Sequence, residues 1–319
     1  MQIRRYFPGM LKFIGLSLFW PFAAQSQGNS SRHLIIDSNA KASAFAPGVV
    51  STTFPEWSPT FAPNGKTVYF VQGTICWTIV FSTESKGKWL RPRVASFSGR
   101  WKDSDPFISP DGKRLFFISN RPLKNSAKGE VLKNFHIWYV DRLNGDKWGP
   151  PHHIDSPVNI DGINNFSPSI SKSGTLYFSS INRDGHQGEA CYYAEWNHDH
   201  YEKPRLLLLN GNNSTSDLYV APDESYLIFL SGNNIYITYH QDHKWSAAEK
   251  LAPQVNSGDP NSSPSISLDD KILYYSSNRI SGLISRDQLH TLNYDDLLKE
   301  MRSIFNRQSN ILWIPVTIK

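Results

Sequence analysis

Apolar and polar positions alternate along this chain in short bursts, and one order of bursts recurs five times. The first burst starts polar, carries a proline in four of its five copies and ends apolar: Ser58-Pro59-Thr60-Phe61, Asp105-Pro106-Phe107-Ile108, Ser167-Pro168-Ser169-Ile170, Asp217-Leu218-Tyr219-Val220 and Ser263-Pro264-Ser265-Ile266. Phe61, Ile108, Ile170, Val220 and Ile266 are spaced 47, 62, 50 and 46 residues apart. A tight-turn pair follows, Asn64-Gly65 or Asp111-Gly112 at its clearest, and then a more apolar burst such as Leu115-Phe116-Phe117. Such alternation across an Asn-Gly or Asp-Gly pair predicts two hairpin-connected strands.

Two more strands complete each unit. An aromatic burst comes third: Ile75 to Phe81, Ile137 to Val140, Cys191 to Ala194, Ile235 to Tyr239 and Leu289 to Tyr294. An aromatic residue three before a proline then introduces a fourth strand, as in Trp89 with Pro92, Trp148 with Pro151 and Tyr201 with Pro204. Trp245 with Ala248 is the looser copy. Four strands in a unit of this length predict an all-β fold, a β-propeller of four-stranded antiparallel blades. Five blades is the economical count, six if the tail adds an irregular one. The segment Phe45 to Val50 reads as an outer strand placed to close the ring by pairing the ends of the chain. Closure removes the exposed sheet edges that invite aggregation.

The run Ile108-Ser109-Pro110-Asp111-Gly112-Lys113-Arg114-Leu115-Phe116-Phe117 resembles the WD40-like propeller repeats of TolB-like exported proteins. The resemblance covers residues 45–296 and implies the fold. It implies little about function, because that family supports binding and scaffolding more often than chemistry. Glu224 and Asp270 depart from the repeat at the turn glycine.

The remaining segments divide the chain. Arg4, Arg5 and Lys12 precede the apolar run Phe13 to Ala24, with small residues before Gln27, which reads as a signal peptide over 1–26. Residues 27–44 form a leader, 45–296 the propeller, and 297–319 a C-terminal helix and tail strand. Leu297, Leu298, Met301, Ile304 and Phe305 recur at helical spacing. That helix is expected to plug one face of the disc, or else to offer its stripe to a partner. An exported protein, periplasmic or extracellular and monomeric, with no membrane span, follows from this reading. The formal charge of +5 invites a nucleic-acid partner, yet three of those charges belong to the leader, leaving +2, and none is expected. Cys76 and Cys191 fall in the same strand type of different units and are expected to be free, buried thiols.

Candidate ligand-binding residues cluster where inner strands start and second strands end. Glu56, Asp103, Asn165, Thr215 and Asn261 occupy one equivalent position per unit, and Asp105 and Asp217 lie two residues on. Arg121, Arg183 and Arg279 leave the second strands, each after an asparagine. Together they predict a polar channel mouth with arginines suited to carboxylates, phosphates and sugars. Repetition of Asn-Arg in three units favours a structural role, each arginine pairing with a neighbouring blade's acid or carbonyls. His152-His153, His198 with His200 and His240 with His243 lack a third ligand at diagnostic spacing, so no metal and no cofactor is expected. No catalytic residue is assigned. The expectation is a binding or scaffold module for a protein or carbohydrate. The alternative is a glycan-cleaving enzyme, a sialidase-like hydrolase or lyase, although the turns lack the Asp-box pattern.

Overall fold

The structure is a computed structural model that describes residues 32–123, 130–144, 147–209, 211, 214–280 and 291–319. The predicted signal peptide and the Leu289-His290 start of the predicted fifth aromatic strand lie outside these residues. Five antiparallel sheets form a ring, as the repeats predict. Their inner strands are Glu56–Phe61, Asp103–Ile108, Asn165–Ile170, Thr215–Val220 and Asn261–Ile266. Each inner strand packs on the next, and the fifth packs on the first.

Blade 1 continues outward through Thr67–Gln72, Thr78–Ser85 and Arg93–Val94. Blade 2 continues through Arg114–Ser119, His136–Asp141 and His152–His153, and blade 3 through Leu176–Ile181, Glu189–Ala194 and Arg205–Leu206. Blade 4 adds Tyr226–Ser231, Asn234–Gln241 and Glu249–Lys250. Blade 1's third strand starts at Thr78, after Ile75 and Cys76, so Cys76 is exposed whereas Cys191 is buried. The expectation of two buried thiols fails there because Cys76 falls in the loop before the strand.

Blade 5 differs most from its predicted course. Ile272–Ser277 pairs with Asn310–Pro315, and Ser43–Ala44 closes the sheet outside it. Tyr294 opens a helix, Tyr294–Met301, instead of ending a strand, because Asn293 caps it by accepting from the Asp296 amide. The third strand is therefore the tail segment, and the ring takes in residues on both sides of 45–296. The closing strand precedes the expected segment by two residues, with Phe45 N donating to Ile311 O at 2.8 Å. A second ribbon, Leu34–Ile35 with Thr317–Ile318, ties the same two ends again.

Successive residues of a strand face opposite blades, so each junction has its own core. Leu115 and Phe117 pack toward blade 1 with Tyr69 and Phe81, while Phe116 and Ile118 pack toward blade 3 with Phe178 and Tyr192. Five such clusters fill the five junctions. The repeat turns hold a left-handed residue at Gly65, Gly112, Gly174, Glu224 and Asp270. Where glycine is replaced, the carboxylate takes a bond from the preceding blade: Ser173 Oγ donates to Glu224, and Tyr226 Oη donates to Asp270 at 2.7 Å. These bonds offset the steric cost of a side chain at positive φ.

Gly65→Ala, where an added methyl meets nothing within 4 Å, should cost about 1 kcal/mol from backbone conformation alone. Asp270→Ala should cost about 2 kcal/mol, chiefly by stranding the Tyr226 hydroxyl. Urea denaturation of both variants checks the order.

Candidate functional site

The residue before the repeat proline, or before Leu218 that replaces it in blade 4, determines what happens at the axis. Ser58, Asp105, Ser167, Asp217 and Ser263 all have φ between 46° and 53°, and the ladder shifts register at each of them. These five bulges turn polar side chains inward, where they bond in a closed circuit. Ser58 Oγ donates to Asp105 Oδ1 at 2.9 Å. Ser167 N donates to Asp105 Oδ2 at 3.0 Å, and Ser167 Oγ to Asp217 Oδ1 at 2.8 Å. Ser263 N donates to Asp217 Oδ2 at 2.8 Å, and the Ser263 and Ser58 hydroxyls bond at 2.9 Å. One link spans each of the five junctions. Ser104 Oγ also donates to Asp105, at 2.8 Å.

Glu189, at the start of blade 3's third strand, adds a third carboxylate on the side where the blades are joined to one another. Burial raises Glu189 to about 7, helped by the charges of Asp217 and Asp105 and opposed by Ser216. Asp217 is also raised, first by burial and then by Asp105, against bonds from Ser263 and Ser167. The cavity at the circuit is only about 40 Å³, room for roughly one water.

Asp105 and Asp217 are the expected site residues that line this cavity and that the structure brings together. The others turn into the blades and hold the connectors arriving from the preceding blade. Glu56 accepts from Thr52 N at 3.1 Å and from Asn310 Nδ2 at 3.1 Å. Asp103 accepts from Ser98 Oγ at 2.8 Å and from Arg121 Nη2 at 2.7 Å. Arg121 also reaches the Phe97 carbonyl. Asn165 Nδ2 donates to Val158 O at 3.2 Å, as does Arg183 Nη1 at 2.7 Å. Asn261 Nδ2 donates to Val255 O at 3.3 Å, Thr215 is buried, and Arg279 reaches Ser257 and Ala42 with Asp259 at 3.8 Å. Arg121 and Arg183 lie over Phe117 and Phe178 and are almost wholly buried.

A larger opening lies at the opposite mouth, on the face of the repeat turns. It is a pit of about 530 Å³ walled by Phe61, Phe107, Tyr219 and Tyr274, with Ile266, Leu268 and Ile272. Phe61 and Tyr274 stack across the junction of blades 1 and 5 at 4.1 Å between centroids. Asp269 is the carboxylate in its lining, ion-paired with Lys271 at 3.4 Å. The sequence signal for this pit was the apolar end of each inner strand, which reads as core until the ring leaves it uncovered. Helix Tyr294–Met301 and the strand after it line neither opening. Tyr294 and Met301 are exposed, and Asn306 ties the segment to Thr53 O, so the expected plug is replaced by a segment at the rim of blades 5 and 1. Among the described residues no group of three His, Cys, Asp or Glu side chains is placed to hold a metal, and no helix is long and apolar enough to cross a membrane.

No family model matches the chain, and no curated protein matches it. Solved structures do. The chain is similar to TolB from Acinetobacter baumannii, 18% identical over 83% of this chain, with a TM-score of 0.47. It spans 55% of that protein's length. A putative TolB from Agrobacterium tumefaciens is 16% identical over 70% of each chain, with a TM-score of 0.46. An alpha-L-arabinofuranosidase from Lactobacillus brevis is 12% identical over 84% of this chain and 93% of its own, with a TM-score of 0.50. At these identities the likeness shows the fold alone, a β-propeller.

Raised carboxylates give a defined pH response. Glu189 and Asp217 bind protons more tightly in the folded chain than in the unfolded one. Their contribution is most favourable in acid and is lost as pH rises through the folded values. The thermal midpoint should therefore fall between about pH 5 and about pH 8, and Glu189→Gln should flatten that fall. A differential scanning series across pH measures both.

Proposed function

We propose that this chain is an exported, monomeric propeller that acts by binding, with a protein or carbohydrate ligand seated at a mouth of its channel. The pit on the turn face carries this reading. It is large enough for a side chain or a sugar ring, open to solvent, and lined by aromatic rings that lose water favourably on contact. Glycoside cleavage calls for two carboxylates flanking a bound bond. The pit offers Asp269, already paired, while Asp105 and Asp217 border a space too small for a sugar. Export rests on the leader at 1–26 and is checked by the mass of the mature chain, which should begin at Gln27.

Leu268, at the pit rim and 45% exposed, gives a test that spares the core. Neutral oligosaccharides and apolar peptides are screened against the purified chain by intrinsic tryptophan fluorescence. Leu268→Arg should weaken the ligand found by at least about tenfold, with the thermal midpoint unchanged. Equal affinity in the variant moves the ligand away from the pit. Turnover of any screened glycan replaces binding with catalysis.

A further inference from the structure

Two aromatic rings separate the pit on the turn face from the circuit beneath it. Among the described residues the two spaces share Phe107, Tyr219 and Ser265 in their linings and nothing else. The rings of Phe107 and Tyr219 meet with centroids 6.1 Å apart, and Tyr219 Oη is fixed to Ile266 O at 3.2 Å. Ser265 Oγ donates to Pro59 O at 3.1 Å. Asp105 and Asp217 line the lower space and not the pit. A cation arriving from the turn face therefore meets rings first. Asp269, the carboxylate in the pit's lining, is already held by Ser267 Oγ at 2.7 Å and by Lys271 Nζ at 3.4 Å.

The walls are no better suited to a sugar or an anion. Ser109 Oγ has given its hydrogen to Asp111 at 2.6 Å, as Ser265, Ser267 and Tyr219 have given theirs within the chain. Thr60 Oγ1 accepts from Ile108 N at 3.1 Å. A sugar ring brings several hydroxyls, and each one stripped of water against a wall that returns few bonds works against binding. Among the described residues no Lys, Arg or His lines the pit. A neutral apolar group is what its rings and prolines accept, by releasing water from both surfaces.

The surface changes character at one side of the rim. A groove of about 420 Å³ adjoins the pit at Ser109 and Pro110, which line both, and runs along blades 2 and 3. Basic side chains outnumber acidic ones there, with Lys113, Arg114 and Lys172 against Asp111 and Asp141. Arg114 Nε lies 2.8 Å from Asp141, and Lys113 Nζ lies 3.8 Å from Asp111. Lys172 is exposed, and among the described residues it pairs with no carboxylate. An apolar hollow thus borders a groove with positive charge to spare.

We propose that pit and groove together dock a segment of a partner protein, with its apolar side chains in the pit and an acidic residue against Lys172. This rests on the pit being the ligand site and names the chemistry of what fills it. A peptide is favoured over an apolar acid with an alkyl chain because the pit is open to solvent across its mouth. An alkyl chain lying there would keep one side in water, whereas a peptide backbone spans the mouth and covers the side chains it sends in. The groove also carries both signs of charge, which suits a chain of amides and acids better than a lone headgroup.

A random linear peptide library displayed on phage and panned on the full mature chain supplies the probe. Enriched sequences should carry Phe, Leu or Trp close to Asp or Glu. A synthetic copy of the most enriched peptide should bind at least about tenfold more weakly once its apolar residues are replaced by serine. Lys172→Glu should weaken it at least about threefold, an effect that fades at high salt. Leu268→Asn should weaken it at least about threefold at any salt. Both positions are exposed, so the thermal midpoints should not move. Enrichment of basic sequences, no enrichment, or equal binding by either variant overturns the proposal. An oligosaccharide or oleate that binds and is weakened by Leu268→Asn, with no peptide enriched, overturns this partner and keeps the pit as a ligand site. Absence of all binding overturns both.

Discussion

The closed circuit at the axis is the constraint on which the rest of the ring depends. Five inner strands can approach one another only if each presents something a neighbour can bond, and a regular strand presents backbone already used within its own sheet. A bulge at each inner strand solves this by turning one short side chain toward the axis. Two carboxylates then accept what serine hydroxyls and amides donate, and among the described residues no basic side chain is part of the circuit. Asp105 and Asp217 alternate with serines, so each acceptor is shared by two blades. The same arrangement explains why the channel is nearly shut at this level, with the larger opening on the turn face.

Most of the fold is legible in the sequence because the repeats are local. Inner strand, turn and second strand span fewer than twenty residues in every unit, and their pattern survives the loss of glycine at Glu224 and Asp270. Blade 5 escapes that logic. The segment between its second and third strands is longer than in the other blades, and Leu289 to Tyr294 carried an apolar pattern that competes with the true third strand. Pairing over long sequence distance decided the matter, and local propensity carries no signal of it.

The site was legible only in part, for a different reason. Asp103 and Asn165 occupy a position that recurs once per unit, Asn-Arg recurs in three units of the five, and recurrence marks a place without giving its direction. Side chains one position apart on a strand leave on opposite faces, and the bulge shifts that alternation between Asp103 and Asp105. Asp105 therefore reaches the axis while Asp103 turns to Ser98 and Arg121.

The double tie between the two ends of the chain bears on how the protein is made. Blade 5 takes its third strand from near the C-terminus and its outer strand from residues 43 and 44. During synthesis, blades 1 to 4 can form in order as they emerge, but the fifth lacks its third strand until Asn310–Pro315 has been added. The nascent ring thus stays a broken circle with two open edges until that segment is made. Closure waits on the pairing of residues 43 and 44 with the strand Asn310–Pro315.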